Sequence, residues 1–172
     1  LQQIGLFPVR GNHDKGYDDY WKNYPPKINI NSNGNWPKYY SFDYKQNHFV
    51  IIDGTGSNIG DEQLKWLTQD LESAKAHKDQ GSIQNIFIFA HEQLVGLCEE
   101  KAVCGGTLNP TKKIVELFQK NGVTIYFHGH QHFYAKVNYL GINIVSDGYL
   151  ADYSYTLLSS ERQPKTFVVA DV

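Results

Sequence analysis

Three histidines, His128, His130 and His132, lie within five residues in the stretch YFHGHQHF. The whole chain has only seven histidines, so this grouping calls for a chemical explanation. Neutral imidazole is the commonest metal ligand in proteins, and histidines at alternate positions after an apolar run can converge on one point. The stretch therefore indicates a metal site, although a single buried histidine is more often a hydrogen-bonded core residue.

Two further polar clusters also follow apolar runs that are typical of strands. They are residues 11–14 (GNHD) after LFPVR and His91 after NIFIFA, just as residues 129–132 (GHQH) follow VTIYF. Each cluster alone has an ordinary explanation, because Gly, Asn and Asp favour turns and a histidine at a strand end often bonds to backbone. Three histidine-bearing clusters at strand ends, where α/β sheets build their sites, predict one shared cleft.

The strands that position these clusters are predicted from short apolar or alternating runs. LFPVR, NIFIFA and VTIYF each predict a strand, and YYSFDYKQNHFVIIDG predicts two strands joined by a tight turn at residues 45–47. FYAKVNYLGINIVSD and the final TFVVADV are also strand-like. Residues 15–38, which are rich in Tyr, Asn, Pro and Gly, predict a long loop.

Two segments have helical spacing. In GDEQLKWLTQDLESAKAH, leucines recur on one face at positions 64, 67 and 71, and Asp61 is the expected N-cap. In NPTKKIVELFQKNG, Asn109 and Pro110 begin the helix and Gly122 ends it. Helices alternating with apolar strands predict a layered α/β fold, and with no repeat or linker in view we expect residues 1–172 to form a single domain.

Composition limits the classes of function. The 172 residues suffice for one domain with a sizeable core. Sixteen basic and 18 acidic residues give a net charge of −2, so no basic field indicates a nucleic-acid partner. No apolar run has the length of a membrane span, and we expect no signal peptide within these residues. The chain has no Met, even at position 1, so we expect a processed product or a piece of a longer protein.

The two cysteines, Cys98 and Cys104, lie six residues apart in CEEKAVCGG. A small loop disulfide is typical of a secreted or periplasmic protein, and we favour it. Two free thiols in a cytoplasmic enzyme are the alternative. A zinc site at the pair is disfavoured, because no further soft ligands flank it.

The ordered set of GNHD, a lone strand-end His91 and GHQH resembles the calcineurin-like metallophosphoesterase family. YYSFDYKQNHFVIID and DEQLKWLTQDL resemble its branch of purple acid phosphatases and related phosphodiesterases. The resemblance covers nearly the whole chain and implies a four-layer α/β/β/α sandwich that holds two metal ions, commonly Fe, Mn or Zn. It implies hydrolysis of a phosphoester by this dinuclear centre, with the choice between mono- and diesters left open.

The resemblance also implies a role for each residue of the motifs. Four residues are implied as metal ligands: Asn12, His91, His130 and His132. The first three would hold one metal, and the last would hold the other. His13 would face the substrate and protonate the leaving oxygen, with Asp14 fixing its tautomer. The chemistry is sound, because two cations clamp a phosphate and activate a shared water, while a His–Asp pair supplies a general acid.

The chain departs from the family pattern in one respect. The motifs D-x-H and G-D-x-x-D, which supply the remaining ligands and the bridging carboxylate, do not occur in these 172 residues. Asp53 is interpreted as a turn residue and Asp61 as a helix cap, so neither replaces them. We therefore expect the C-terminal part of a catalytic domain that is incomplete at its N-terminus and weakly active or inactive alone.

Two other classes of function are weighed against this one. A non-catalytic metal- or protein-binding remnant of the same fold is the main alternative, but the intact His13 and Asp14 argue against it. A zinc nuclease of another fold is disfavoured by the near-neutral charge.

The remaining histidines and aromatic residues have ordinary interpretations. His128 is expected in the core or behind the ligands, and His48 and His77 are expected at the surface of a hairpin and a helix. Asp147 in VSDG is expected to be a turn residue. Three aromatic residues of the long loop are expected to pack it onto the core: Trp21, Trp36 and Tyr39.

Overall fold

A computed structural model describes residues 7–14, 30–32, 38–96, 107–131 and 134–147. Several predictions from the sequence lie outside these described residues. They are the role of His132, the disulfide between Cys98 and Cys104, the packing of Trp21 and Trp36, and the final strand TFVVADV.

The described residues form seven strands and two helices. The strands are β1 (Asn31–Ser32), β2 (Tyr40–Tyr44), β3 (Asn47–Ile51), β4 (Asn85–Ala90), β5 (Ile125–His128), β6 (Tyr134–Tyr139) and β7 (Ile142–Asp147). The helices are α1 (Asp61–Asp79), between β3 and β4, and α2 (Thr111–Lys120), between β4 and β5. Neither described helix is long and apolar enough to cross a membrane.

All seven strands belong to one mixed sheet in the order β1-β2-β3-β4-β5-β7-β6. The central strands β3, β4, β5 and β7 are parallel to one another, whereas the pairs β1–β2, β2–β3 and β6–β7 are antiparallel. The predicted α/β class is confirmed, with a parallel centre connected through helices and antiparallel hairpins at both sides.

Most of the predicted elements are confirmed. The hairpin β2–β3 turns at Lys45 and Gln46, where Lys45 adopts a φ of 52°. Helix α2 follows Pro110 and is followed by Gly122 at a φ of 66°. Tyr39 packs its ring 4.9 Å from that of Trp66 on α1, as expected for an aromatic residue that anchors a loop.

Several local predictions are wrong, including the long loop predicted for residues 15–38, which contains β1 (Asn31–Ser32). Residues 7–10 of LFPVR are not in a strand, although they pack beside the sheet. Gly60, rather than Asp61, is the N-cap of α1, so Asp61 acts through its charge in the first helical turn. Asp147 is the last residue of β7 rather than a turn residue, because the strand pairs with β6 through to Tyr134.

The sheet is apolar on both faces. On one face, Ile86 and Ile88 of β4 pack with α1 and α2 in the main core. On the other face, Phe87 and Phe89 of β4 join a cluster with Phe127 of β5. Successive side chains of a strand point to opposite faces, so the all-apolar run NIFIFA supplies both cores. Such a sheet needs a layer against each face, as in a layered domain.

His48 is buried on β3, contrary to its predicted surface position. Its Nδ1 lies 2.6 Å from Oδ1 of Asp43, and its Nε2 lies 2.9 Å from Oδ2 of Asp70 on α1. The other oxygen of Asp70 accepts hydrogen bonds from Ser41 of β2 at 2.6 Å and Asn31 of β1 at 2.7 Å. One helical carboxylate therefore ties three strands to α1. These hydrogen bonds explain why the β2–β3 hairpin carries polar residues at buried positions.

The charge of His48 is controlled by its two carboxylate partners. Burial by itself lowers the pKa of His48, but the hydrogen bonds and charges of Asp70 and then Asp43 outweigh burial and raise the net pKa. His48 is therefore protonated over a wider pH range in the folded protein than in the unfolded chain.

Replacing His48 by Phe keeps a ring in the buried position but leaves the Asp70 carboxylate without its cationic partner. We expect the free energy of unfolding to fall by about 2–3 kcal/mol below pH 6.5, where a free histidine is protonated. Because the folded pKa is raised, the difference from the wild type should shrink as the pH rises through that folded pKa. Urea unfolding across this pH range measures both effects.

His77→Phe is the matched control, because His77 is exposed on α1. Its free energy of unfolding should stay within about 0.5 kcal/mol of the wild type at each pH. A His48→Phe variant as stable as this control, or a loss that is independent of pH, would contradict the assigned role of His48.

Candidate metal centre

The carboxyl ends of the parallel strands meet at one edge of the sheet. In the register of β4 and β5, Ala90 lies opposite His128, and in that of β5 and β7, His128 lies opposite Ser146. The residues that follow these strands, starting at His91 and Gly129, are therefore neighbours. The structure brings His91 and His130 together at this edge, with Nδ1 of His130 3.0 Å from Nε2 of His91.

The segment before the GNHD turn is attached to the same edge. The hydroxyl of Tyr40 donates a hydrogen bond to the carbonyl oxygen of Pro8 at 2.9 Å. The guanidinium of Arg10 forms an ion pair with Asp53 at 3.0 Å, just beyond the end of β3. These contacts hold Gly11 against the ring of His91.

The GNHD residues form a closed turn. The Gly11 N–H donates to Oδ2 of Asp14 at 2.7 Å, and the Asp14 N–H donates to the carbonyl oxygen of Gly11 at 3.2 Å. Asn12 and His13 are exposed on this turn. Asp14 thus has an observed role in shaping the turn, and its expected effect on the tautomer of His13 stays a prediction.

Asn12, His91 and His130 bring three potential metal-ligand atoms together, and we call these three residues the donor cluster. Nε2 of His91 lies 2.8 Å from Oδ1 of Asn12 and 3.0 Å from Nδ1 of His130. The two imidazole rings stand nearly perpendicular, at 79°, with centroids 4.9 Å apart. Nε2 of His91 carries at most one proton, so it cannot both donate to Asn12 and accept from His130.

The spacing of these atoms fits a metal ion. In an octahedral site, metal–ligand bonds of about 2.1 Å meet at right angles and separate neighbouring ligand atoms by about 3.0 Å. The observed 2.8 and 3.0 Å match that separation. Imidazole nitrogens and a carboxamide oxygen are ligands that suit Zn, Fe or Mn. The residues present therefore fit one metal of the expected pair.

His130 has an unusual backbone conformation. Its φ is +69°, and the N–H of Gln131 bonds to the carbonyl oxygen of Gly129 at 2.9 Å, which makes His130 the centre of a three-residue turn. Left-handed φ values are costly for residues other than glycine, and such strain clusters at functional sites. The turn is what directs Nδ1 of His130 toward His91.

Gly11 lets the backbone approach His91 closely, whereas a side chain on Gly129 would make only ordinary contacts there. A Cβ atom on Gly11 would lie 3.1 Å from atoms of the His91 ring. A Cβ atom on Gly129 would lie 3.8 Å from Nδ1 of His91 and 3.6 Å from Oδ1 of Asp147. Gly11 therefore has a packing role at the site that its position in a turn motif did not predict.

Two carboxylates at this edge were missed by the sequence analysis. Glu92 is only 3% exposed, and together with His91 and His130 it offers ligand atoms that all lie within 4.8 Å of one another. Burial raises the pKa of Glu92, and a hydrogen bond with Ser57 opposes this shift. Asp147 at the end of β7 also has a pKa raised by burial. One feature of the sequence could have indicated Glu92, because it directly follows a histidine at a strand end.

Three further histidines were considered in the sequence at this site, and the structure describes two of them, His13 and His128. Burial lowers the pKa of His130, and the charge of His13 lowers it further. His128 is buried, as expected, and its Nδ1–H donates to the carbonyl oxygen of Gly129 at 3.0 Å. His132 lies outside the described residues.

Comparisons with known proteins identify the family. The model of the calcineurin-like phosphoesterase family matches residues 1–134. A purple acid phosphatase from yellow lupin (Lupinus luteus) seeds is 21% identical at a TM-score of 0.55, covering 70% of this chain and 24% of that chain. A dimetal phosphatase from Danio rerio is 16% identical at a TM-score of 0.42, covering 53% of this chain and 27% of that chain. No curated protein sequence matches significantly.

The chain belongs to the calcineurin-like phosphoesterase family, because the family model matches well over half of its residues. The likeness to the lupin enzyme shows a shared fold. This chain spans about a quarter of the length of that enzyme.

Replacing Gly11 by Ala should weaken metal binding without removing a ligand. The added methyl group would lie 3.1 Å from the His91 ring, so the ring has to move by a few tenths of an ångström. We expect the affinity for Zn²⁺ to fall about tenfold, as measured by titration calorimetry. Gly96→Ala is the control, because a Cβ atom there meets nothing within 4 Å. Equal affinities for the two variants would refute the packing role of Gly11.

Proposed function

We propose that this chain contributes part of a dinuclear metal centre that hydrolyses phosphoesters, either monoesters or diesters. The observation that supports this most strongly is the position of Nε2 of His91, which lies 2.8 Å from Oδ1 of Asn12 and 3.0 Å from Nδ1 of His130. Membership of the calcineurin-like phosphoesterase family supports the class of reaction.

The proposed ligands divide between two metals, drawn from Fe, Mn and Zn. Asn12, His91 and His130 would hold one, and His132 would contribute to the other. The carboxylate motifs D-x-H and G-D-x-x-D are not encoded in these 172 residues, so the activity is proposed for a protein that combines them with this chain. When bound, the pair of cations would offset the charge of the phosphate and activate a shared water.

His13 is proposed as the general acid. It is exposed on the GNHD turn, next to the proposed ligand Asn12, and its charge lowers the pKa of His130. As the bond between phosphorus and the leaving oxygen breaks, the imidazolium N–H of His13 would donate its proton to that oxygen. A positioned acid of this kind typically accelerates the reaction by about 10²–10⁴-fold.

Substitutions of His13 and His130 separate the two proposed roles. In a protein that carries the chain together with the carboxylate motifs, His13→Ala should lower kcat about a hundredfold or more while the metal content stays unchanged. His130→Ala should lose metal, because it removes a ligand. Metal analysis beside an assay on an aryl phosphate measures both quantities.

His77→Ala serves as the control, since this exposed histidine on α1 has no part in the proposed site. It should keep both metal and activity, and a chelator should abolish turnover in the wild type. A His13→Ala variant that loses metal to the same extent as His130→Ala would make His13 a ligand and refute its role as an acid.

A further inference from the structure

Glu92 follows His91 directly but points into the protein. Its side chain is 4% exposed, and its Cβ and Cγ atoms lie 3.5 Å from the point where a side chain on Gly54 would begin. Its carbonyl oxygen accepts a hydrogen bond from the buried hydroxyl of Tyr126 at 2.6 Å. Glu92 is therefore held firmly at the carboxyl end of β4.

One oxygen of this buried carboxylate lacks a donor. Among the described residues, Oε2 of Glu92 has no hydrogen-bond partner. A buried acceptor that is left unpaired costs about 1–3 kcal/mol, so its position calls for an explanation. Nε2 of His130 lies 3.8 Å away, which is an ion-pair distance rather than a hydrogen bond.

The two nitrogens of His130 face different groups. Nδ1 lies 3.0 Å from Nε2 of His91, in the donor cluster with Asn12, whereas Nε2 faces the carboxylate of Glu92. The two nitrogens of an imidazole ring point away from each other. A neutral imidazole ring carries one proton. A hydrogen-bond acceptor beside one nitrogen keeps the proton on that nitrogen and leaves the lone pair on the other.

We propose that Glu92 is a positioning residue that keeps the proton of His130 on Nε2, so that the lone pair of Nδ1 faces the metal. This inference rests on the proposed function, in which Nδ1 of His130 is the ligand atom. Carboxylates that bond the outer nitrogen of a ligating histidine fix its tautomer and raise its basicity. The three ligands Asn12, His91 and His130 are neutral, so the charge of Glu92 also offsets that of the cation.

The geometry favours this role over direct ligation by Glu92. The ligand atoms of His91, Glu92 and His130 lie within 4.8 Å of one another, so a shared ion is the competing arrangement. In that arrangement Glu92 would bind on the same side of the ring as His91. The observed carboxylate instead approaches the nitrogen of His130 that faces away from His91.

The test uses ¹⁵N-labelled protein without metal, with the tautomer of His130 read from its nitrogen–proton couplings at about pH 8, where His130 is neutral because burial lowers its pKa. The wild type should carry the proton on Nε2. Glu92→Leu should move proton population to Nδ1 and lower the affinity for Zn²⁺ by about 10- to 100-fold. The isosteric Glu92→Gln keeps an acceptor oxygen without the charge, so it should retain the tautomer and show a smaller loss of affinity.

Glu116→Gln is the control, because Glu116 is exposed on α2, and it should change neither quantity. An unchanged tautomer in Glu92→Leu would overturn the inference. X-ray absorption of the Zn²⁺-bound variant gives a second check. If the Zn²⁺ ion has one ligand fewer in Glu92→Leu than in the wild type, Glu92 is itself a ligand and the inference is wrong. Because the tautomer is measured without metal, this test does not depend on metal binding. A wild type that binds no Zn²⁺ would therefore contradict the proposed function and leave the tautomer result unaffected.

Discussion

The parallel register of β4 and β5 is the constraint on which the site depends. Ala90 opposite His128 makes His91 and Gly129 neighbours at the carboxyl edge, and the left-handed turn at His130 then directs its imidazole back toward His91. A slip of one residue would turn every side chain of a strand to the opposite face. The apolar alternation of β4, with isoleucines toward the helices and phenylalanines toward the other face, holds the register against such a slip.

A second set of interactions fixes the rest of the sheet around this edge. Asp70 of α1 bonds to residues of three strands, and His48 balances its charge. Arg10 and Asp53 join the GNHD segment to the end of β3. The proposed ligands thus come from distant parts of the chain but are held by one sheet. A sheet can keep such side chains at the spacing that a metal ion requires.

The sequence predicted those features that depend on local pattern. Apolar runs located β4 and β5, and the histidine that follows each run located the donor cluster. The burial of His48 could not be predicted from its polar hairpin, because it depends on Asp70 from a helix that comes later in the chain. Glu92 was missed for the same reason. Its place beside His130 depends on the turn of a distant strand end, which does not appear as a spacing in the sequence.

The central claim is that Asn12, His91 and His130 share one metal ion, and titration of ¹⁵N-labelled protein with diamagnetic Zn²⁺ tests it most directly. The account predicts that the ¹⁵N signals of Nε2 of His91 and Nδ1 of His130 shift together to values typical of metal-bound nitrogen, with the side-chain amide of Asn12 changing over the same range of Zn²⁺. Binding of Zn²⁺ that leaves both imidazoles unchanged, or that shifts only one of them, would contradict it.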